Sequence, residues 1–307
     1  MNEQKVALAG LFAVSFLWGC NYVISAYLLG DFSPIFLSFA RLVMTSLFFL
    51  TLALARGGLR FPTRPEIYLL LGSGIFGTLL NQTLYFTGLR QSTAANASLI
   101  IALAPVATAI LERALFGVRM TPSKLVGVAL GVVGVLIIVG MGGSRLSASV
   151  GDFYLLGAML TLSISILFVR SLTKTMPTYT ITIVSTWIGT TFMAPAAGVE
   201  AAFHQSHLAT GVFPWVLLAL AGVVAQGLAG FWWNRGVAVI GAGAAAMFMN
   251  LPPFIALLAG HFILRDAITA SQVVGGLLVL SGVFVANSQA LRKVSPLPLQ
   301  EGFEGSA

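Results

Sequence analysis

Three small groups of polar and aromatic residues interrupt an otherwise apolar chain. Trp18, Asn21, Tyr22 and Ser25 fall on one face of a helix, and Asn81 and Tyr85, four residues apart, share a face of another. Gln226, Trp233 and Asn234 come near one side of a third. Residues of these types do not make or break bonds at this spacing; they bind. An amide orients a polar group through its donor and its acceptor, and an aromatic face receives an apolar one. Two readings are open. The groups line a pocket for an amphipathic ligand, or the amides bridge neighbouring helices while the Trp and Tyr rings sit at a membrane surface. For Trp232 and Trp233, near one end of their apolar run, the surface position is the simpler reading.

A second pattern is a stripe. Ser98, Ala102, Pro105, Ala109 and Glu112 recur at spacings of 4, 3, 4 and 3, which is one helical face. The same pattern 148 positions later reads Ala246, Asn250, Pro253, Leu257 and Gly260. A proline frees a backbone carbonyl one turn earlier, and small residues either admit a close neighbour or leave space. The stripes are read as cavity walls, with Ser98 and Asn250 offering polar contacts and Pro105 and Pro253 acting as hinges. Glu112 is either a proton-coupling carboxylate or an interfacial acid beside Arg113. Arg41, inside an apolar run, either meets a substrate carboxylate, makes a structural ion pair or snorkels to the surface. His261 is read as structural. The candidate substrate contacts are therefore Trp18, Asn21, Tyr22, Asn81, Tyr85, Ser98, Gln226 and Asn250.

Other chemistries lack their residues. Gly72-Ser73-Gly74-Ile75-Phe76-Gly77 has the spacing of a dinucleotide loop, but it lies inside an apolar run with no preceding strand, so its small residues are read as helix-packing positions. Gly127, Gly131, Gly275 and Gly276 are read in the same way. No phosphate-binding Walker sequence is present. Two glycosylation triplets, starting at Asn81 and Asn96, lie in or beside apolar runs and are discounted. Cys20 is the single cysteine, and there is no Cys/His metal pattern, so neither a metal nor a cofactor is expected. With nine acidic residues and three histidines in all, an enzyme site is disfavoured.

The elements that must carry these residues are set by composition. The chain of 307 residues is 58% hydrophobic and 8% charged, against about 25% charged in an average soluble domain. Mean hydropathy is +0.96. This implies an all-α integral membrane protein. A span needs about 20 apolar residues. Ten runs qualify, near 6–29, 33–55, 66–88, 93–114, 122–141, 152–172, 179–199, 212–236, 242–264 and 270–290. The net charge of +7 does not point to nucleic acid, because the basic residues sit between the runs. With the N-terminus cytoplasmic, Lys5, Arg56, Arg60, Arg64, Arg113, Arg119, Lys124, Arg170, Lys174, Arg235, Arg292 and Lys293 fall inside, and only Arg90, Arg145 and Arg265 outside. Both termini are thus expected on the cytoplasmic side, with the first run retained.

The same shift of 148 pairs Gly88 with Gly236, Ala97 with Ala245, Pro105 with Pro253, Thr121 with Thr269, Gly127 with Gly275 and Gly134 with Gly282. The chain reads as one unit written twice, residues 1–146 and 147–292, followed by a Pro/Gly/Ser-rich tail, 293–307, expected to be disordered. Five spans per unit is odd, so the copies are expected to be inverted in the membrane with a site between them near the midplane.

Trp18-Gly19-Cys20-Asn21-Tyr22 resembles the W-G-x-N-aromatic signature of EamA-type proteins of the drug/metabolite transporter superfamily. Pro34 and Arg41, Gly88-Leu89, Ala94 to Ala97, Pro105 and the glycines at 127, 131 and 134 follow in the family's order, and the resemblance covers about residues 6–290. A Glu that the family often carries thirteen residues after the fourth-span Pro is Val118 in the first unit and Asp266 in the second. Within the family the chain is similar to bacterial amino-acid exporters of the YddG type. The resemblance implies a secondary transporter that exports aromatic and other hydrophobic amino acids. A drug or organic-cation carrier of the same superfamily is the alternative. A channel or membrane-embedded enzyme is a more distant one. Few intramembrane acids leave a facilitator, an exchanger and a proton antiporter all open. The expected partners are a small-molecule substrate and the lipid bilayer, and a monomer satisfies the reading.

Overall fold

A computed structural model describes residues 3–55, 58–117, 120–140, 149–202, 208–240, 245 and 248–292. The tail 293–307, Val118 and Ala246 lie outside the described residues, as does the side chain of Asn234.

Every element among the described residues is helical. In chain order they are α1 (Glu3–Leu28), α2 (Pro34–Ala55), α3 (Arg64–Gly74), a π-helical stretch (Ile75–Leu80), α4 (Asn81–Leu89), α5 (Ala94–Ile101), α6 (Ala104–Phe116), α7 (Pro122–Gly140), α8 (Val150–Leu172) and α9 (Thr178–Ala202). Then come α10 (Val212–Ala219), a second π-helical stretch (Leu220–Leu228), α11 (Ala229–Ile240), α12 (Leu251–Ala259), a third π-helical stretch (Gly260–Leu264) and α13 (Ala270–Arg292). Among the described residues seven helical segments are long and apolar enough to cross a membrane, and Leu251–Leu264 and Ala270–Ala286 are shorter apolar helices. Phe12, Phe16, Leu47, Leu50 and Leu54 point outward, as lipid-facing side chains must, while Leu28, Phe32, Leu37, Phe86, Ile100 and Leu155 are buried together in the interior.

Local sequence sets the helix ends. Thr93 Oγ1 accepts from Asn96 N at 3.1 Å to cap α5, and Ser149 Oγ accepts from Gly151 N at 3.1 Å to cap α8. Gly117 closes α6 in the left-handed conformation, with φ 64°. Two breaks matter more. The fourth apolar run is not one kinked helix but two, α5 and α6, separated at Ala102 and Leu103 just before Pro105. In the ninth run, turn residues Met249 and Asn250 precede α12, which opens with Pro252 and Pro253 near its first turn. Prolines are stable in a first turn, where an N–H has no intrahelical acceptor, so they start α6 and α12 rather than bend them.

The packing repeats. α7 and α13 cross so closely that a Cβ on Gly127 would lie 2.5 Å from Gly282 O and one on Gly134 would lie 2.6 Å from Gly275 O. Contact thus falls along one helix as it rises along the other, so the two run antiparallel. α1 packs on α11 and α12, while α8 packs on α3, α4 and α6. α2 packs on the second π-helical stretch and α9 on the first. A shift of 148 carries 75–80 onto 223–228, inside the second π-helical stretch.

Candidate functional site

The helix breaks and the polar faces meet at one cavity of about 560 Å³. Trp18, Asn21 and Tyr22 reach it from α1, Arg41 from α2, Asn81, Gln82 and Tyr85 from α4, and Ser98 from α5. Pro105 and Thr108 enter from α6, Leu162 and Ile166 from α8, and Asn250, Pro252 and Pro253 from the start of α12. Residues from both units therefore form its wall. Of the sequence-derived candidates, Gln226 and Glu112 are not in the lining.

Aromatic rings define one side. Tyr22 and Tyr85 meet edge to face with centroids 6.0 Å apart. Trp18 donates its Nε1–H to Ala225 O at 3.0 Å and lies 5.2 Å from the ring of Trp233. Trp233 thus packs on a cavity residue, which the surface-belt reading did not anticipate.

The amides divide into bound and free ends. Asn81 Nδ2 donates to Ala158 O at 2.8 Å, an interhelical bridge between α4 and α8. Asn21 Oδ1 is buried and has no hydrogen-bond partner among the described residues. Ser98 Oγ returns to its own helix, donating to Ala95 O at 2.7 Å. Gln226 contributes through Arg41, accepting from its Nε at 2.8 Å. Arg41 Nη1 donates to Ser25 Oγ at 3.2 Å, and the guanidinium lies 5.6 Å from the Phe86 ring centroid. No carboxylate lies within ion-pairing distance of Arg41 among the described residues.

Glu112 is paired with Arg170 instead of Arg113, and Arg170 is 61% exposed. His261 Nδ1 is 2.9 Å from Asp266 O, a local tie within one turn. Asp266 lies in the turn that follows, and partial burial raises its carboxyl above the usual range.

Besides Glu66, whose carboxylate accepts from Thr63 N in the first turn of α3, two buried acids were not among the candidates read from the sequence. Glu200, near the end of α9, accepts from Ser33 Oγ at 2.7 Å and from Phe36 N at 2.8 Å, capping the first turn of α2. Asp152, in the first turn of α8, accepts from Ser92 Oγ at 2.5 Å and Asn96 Nδ2 at 3.3 Å. Gln272 Nε2 then donates to Asn96 Oδ1 at 2.9 Å. Both acids lie at segment ends, where an acidic residue ordinarily signals a loop. Leu162, Ile166, Thr108 and Gln82 were also missed, because nothing in their types separates a cavity-facing residue from a buried one.

Among the described residues no group of three or more His, Cys, Asp or Glu could hold a metal ion. The cavity joins amides, aromatics and a cation. Set inside a bundle of apolar helices, it defines a multi-pass membrane transporter. The chain belongs to the EamA-like transporter family, which it matches twice, over residues 5–140 and 149–288. It is 28% identical over 294 residues to the uncharacterized transporter YyaM of Bacillus subtilis, covering 90% of this chain and 92% of that protein. A probable terminal-alkyne amino-acid exporter of Streptantibioticus cattleyicolor is 26% identical, over 83% of this chain and 84% of that protein. An S-adenosylmethionine/S-adenosylhomocysteine transporter of Chlamydia trachomatis is 28% identical over 141 residues, 46% of this chain and 43% of that protein. A crystal structure of another protein superposes with a TM-score of 0.62 at 20% identity, covering 95% of this chain and 99% of that one, which shows a shared fold.

Proposed function

We propose that this protein is a secondary transporter that exports small amphipathic metabolites, with aromatic and hydrophobic amino acids as its substrates. The single observation that carries the reading is the cavity, which both units line and which sits at the breaks of two discontinuous helices. Discontinuous helices at a shared site are the expected place for a substrate in carriers built from repeats. Its mix of amides, tyrosines and apolar side chains suits a cargo with one polar end and one apolar end. The named relatives support amino acids among the cargoes: one is a probable amino-acid exporter, and S-adenosylmethionine carries an amino-acid group.

The mechanism in this reading is alternating access. Ten spans form two five-helix repeats, residues 1–146 and 147–292, inverted in a bacterial inner membrane with both termini cytoplasmic. The antiparallel crossing of α7 and α13 supports the inversion, since these are equivalent helices under the 148-residue shift. Trp18, Asn21, Tyr22, Asn81, Tyr85, Ser98 and Asn250 contact the cargo, and Pro105 and Pro253 mark the hinges.

The test is counterflow in proteoliposomes of the purified protein, using labelled phenylalanine, tryptophan, leucine, a sugar and an organic cation. Saturable exchange of the amino acids is expected. Folded protein that moves the organic cation and no amino acid would overturn the substrate class, and unsaturable flux would overturn the carrier mechanism.

A further inference from the structure

We propose that the cavity recognises its cargo by an anionic head group, that Arg41 is the receptor for it, and that Gln226 and Ser25 position that receptor. The proposal rests on the transporter reading and narrows its substrate class to carboxylates.

Arg41 is 7% exposed and lines the cavity. A buried guanidinium needs either a counter-ion or several hydrogen-bond acceptors, because desolvating an isolated charge is costly. Here it has neutral help only. Gln226 holds Nε and Ser25 holds Nη1, while Nη2 has no hydrogen-bond partner among the described residues. Phe86 offers its face, a weak substitute for a negative charge. The buried acids are committed elsewhere: Glu66 to Arg60 and Thr63, Asp152 to Ser92 and Asn96, and Glu200 to Ser33 and Phe36. A positive centre is thus left facing the cavity, with geometry fixed by two neighbours and one edge open.

The backbone adds to it. α6 and α12 both begin at the cavity wall, at Ala104–Pro105 and at Asn250–Pro252. Each presents the positive end of its dipole there. Among the described residues no acidic side chain lines the cavity, so none of them favours an incoming cation. Asn21 Oδ1 supplies the complementary feature, a buried acceptor without a partner among the described residues, suited to an N–H of the cargo. Carboxylate toward Arg41 and amine toward Asn21 is the head-group arrangement of an α-amino acid, with the tyrosine rings left for its side chain.

The experiment measures binding to the purified protein through its native tryptophan fluorescence, with counterflow in proteoliposomes as the second readout. The probes are phenylalanine, hydrocinnamate (carboxylate, no amine), phenylalaninamide (amine, no carboxylate) and sodium chloride against sodium isethionate, whose anion carries no carboxylate. Wild type is expected to bind phenylalanine and hydrocinnamate about 10- to 100-fold more tightly than the amide, the scale of a lost hydrogen bond to a charged group. Arg41→Gln is expected to abolish that preference while keeping a monodisperse, folded protein. Arg41→Lys restores part of it, since charge remains without the planar fork. Gln226→Leu weakens the preference without removing it. Equal affinity of wild type for acid and amide overturns the proposal. So does chloride that displaces the acids in an Arg41-dependent way when no acid is transported, which marks a site for inorganic anions. If hydrocinnamate binds and no amino acid moves, the carboxylate receptor stands and the amino-acid reading falls. If amino acids move and Arg41→Gln keeps the acid preference, the reverse holds. Should Arg41→Gln fail to fold, the wild-type comparison of acid with amide decides alone.

Discussion

Single residues separate structural amides from receptive ones. Asn81 could belong to either class, because its Nδ2 bridges to Ala158 O while the side chain lines the cavity. Magnitudes decide how to tell them apart. Interhelical hydrogen bonds in membrane proteins are worth about 0.6 kcal/mol on average, with a ceiling near ~1.7 kcal/mol. Asn81→Ala is therefore expected to lower thermal stability in detergent only slightly. If the amide carbonyl also meets cargo, transport falls far more than that loss of stability explains. A stability loss with normal counterflow would return Asn81 to the structural class. The buried acids follow a different logic. Glu200 and Asp152 each sit beside the first turn of a helix, where N–H groups and the dipole favour negative charge, so they persist in the interior without a cationic partner. Arg41 has no such compensation among the described residues, and that contrast is the ground for proposing it as the charge a ligand answers.

At the scale of elements, close packing replaces the hydrophobic effect, since lipid is as apolar as the helix faces. The α7–α13 crossing depends on bare backbone at four glycines. A methyl group on Gly134 would lie 2.6 Å from Gly275 O and 2.9 Å from Val279 N, and backbone cannot yield locally. Gly134→Ala is expected to cost about 1–3 kcal/mol, the range for overpacking. Gly198→Ala, where nothing lies within 4 Å, is the control and is expected to be neutral or stabilising by up to about 1 kcal/mol. Equal thermal midpoints for the two variants would show that the crossing is looser than its geometry. Of the four glycines, Gly127 and Gly275 were legible in the sequence as packing positions, whereas Gly134 and Gly282 stood out only as partners in the 148-residue shift. Ordinary helical periodicity also puts Asn21, Asn81 and Ser98 on the faces of α1, α4 and α5 that line the cavity. Gln226 was not placed in this way, because it lies in a π-helical stretch whose wider turns shift every later side chain off a 3.6-residue count. The roles of Asp152 and Glu200 depend on partners 60 and 164 residues away, which no local pattern announces.

Across the whole molecule, the buried polar contacts are unevenly distributed between the two ends of the bundle. Ser33 and Glu200 join the α1–α2 turn to the end of α9, and Ser92, Asn96, Asp152 and Gln272 join the α4–α5 turn to the starts of α8 and α13. In the proposed topology these turns share the outer end. The opposite end is tied across the units by exposed groups, with Arg60 Nη1 donating to Thr175 O at 2.8 Å and Arg170 pairing with Glu112. An alternating-access carrier must break one end to open it, and buried, mutually satisfied networks switch between discrete arrangements more readily than they stretch. The outer clusters are therefore expected to part as units when cargo leaves. Cysteines at positions 33 and 200, in a Cys20→Ser background, allow a short bis-thiol reagent to fasten that end. The cross-linked protein is expected to bind substrate with affinity close to that of the uncross-linked double variant, and to show no counterflow above protein-free vesicles. A cleavable reagent should return transport on reduction, which separates locking from damage. Full counterflow after complete cross-linking would mean that α2 and α9 stay together at this end throughout the cycle, and the opening would then have to be sought at the Asp152 cluster.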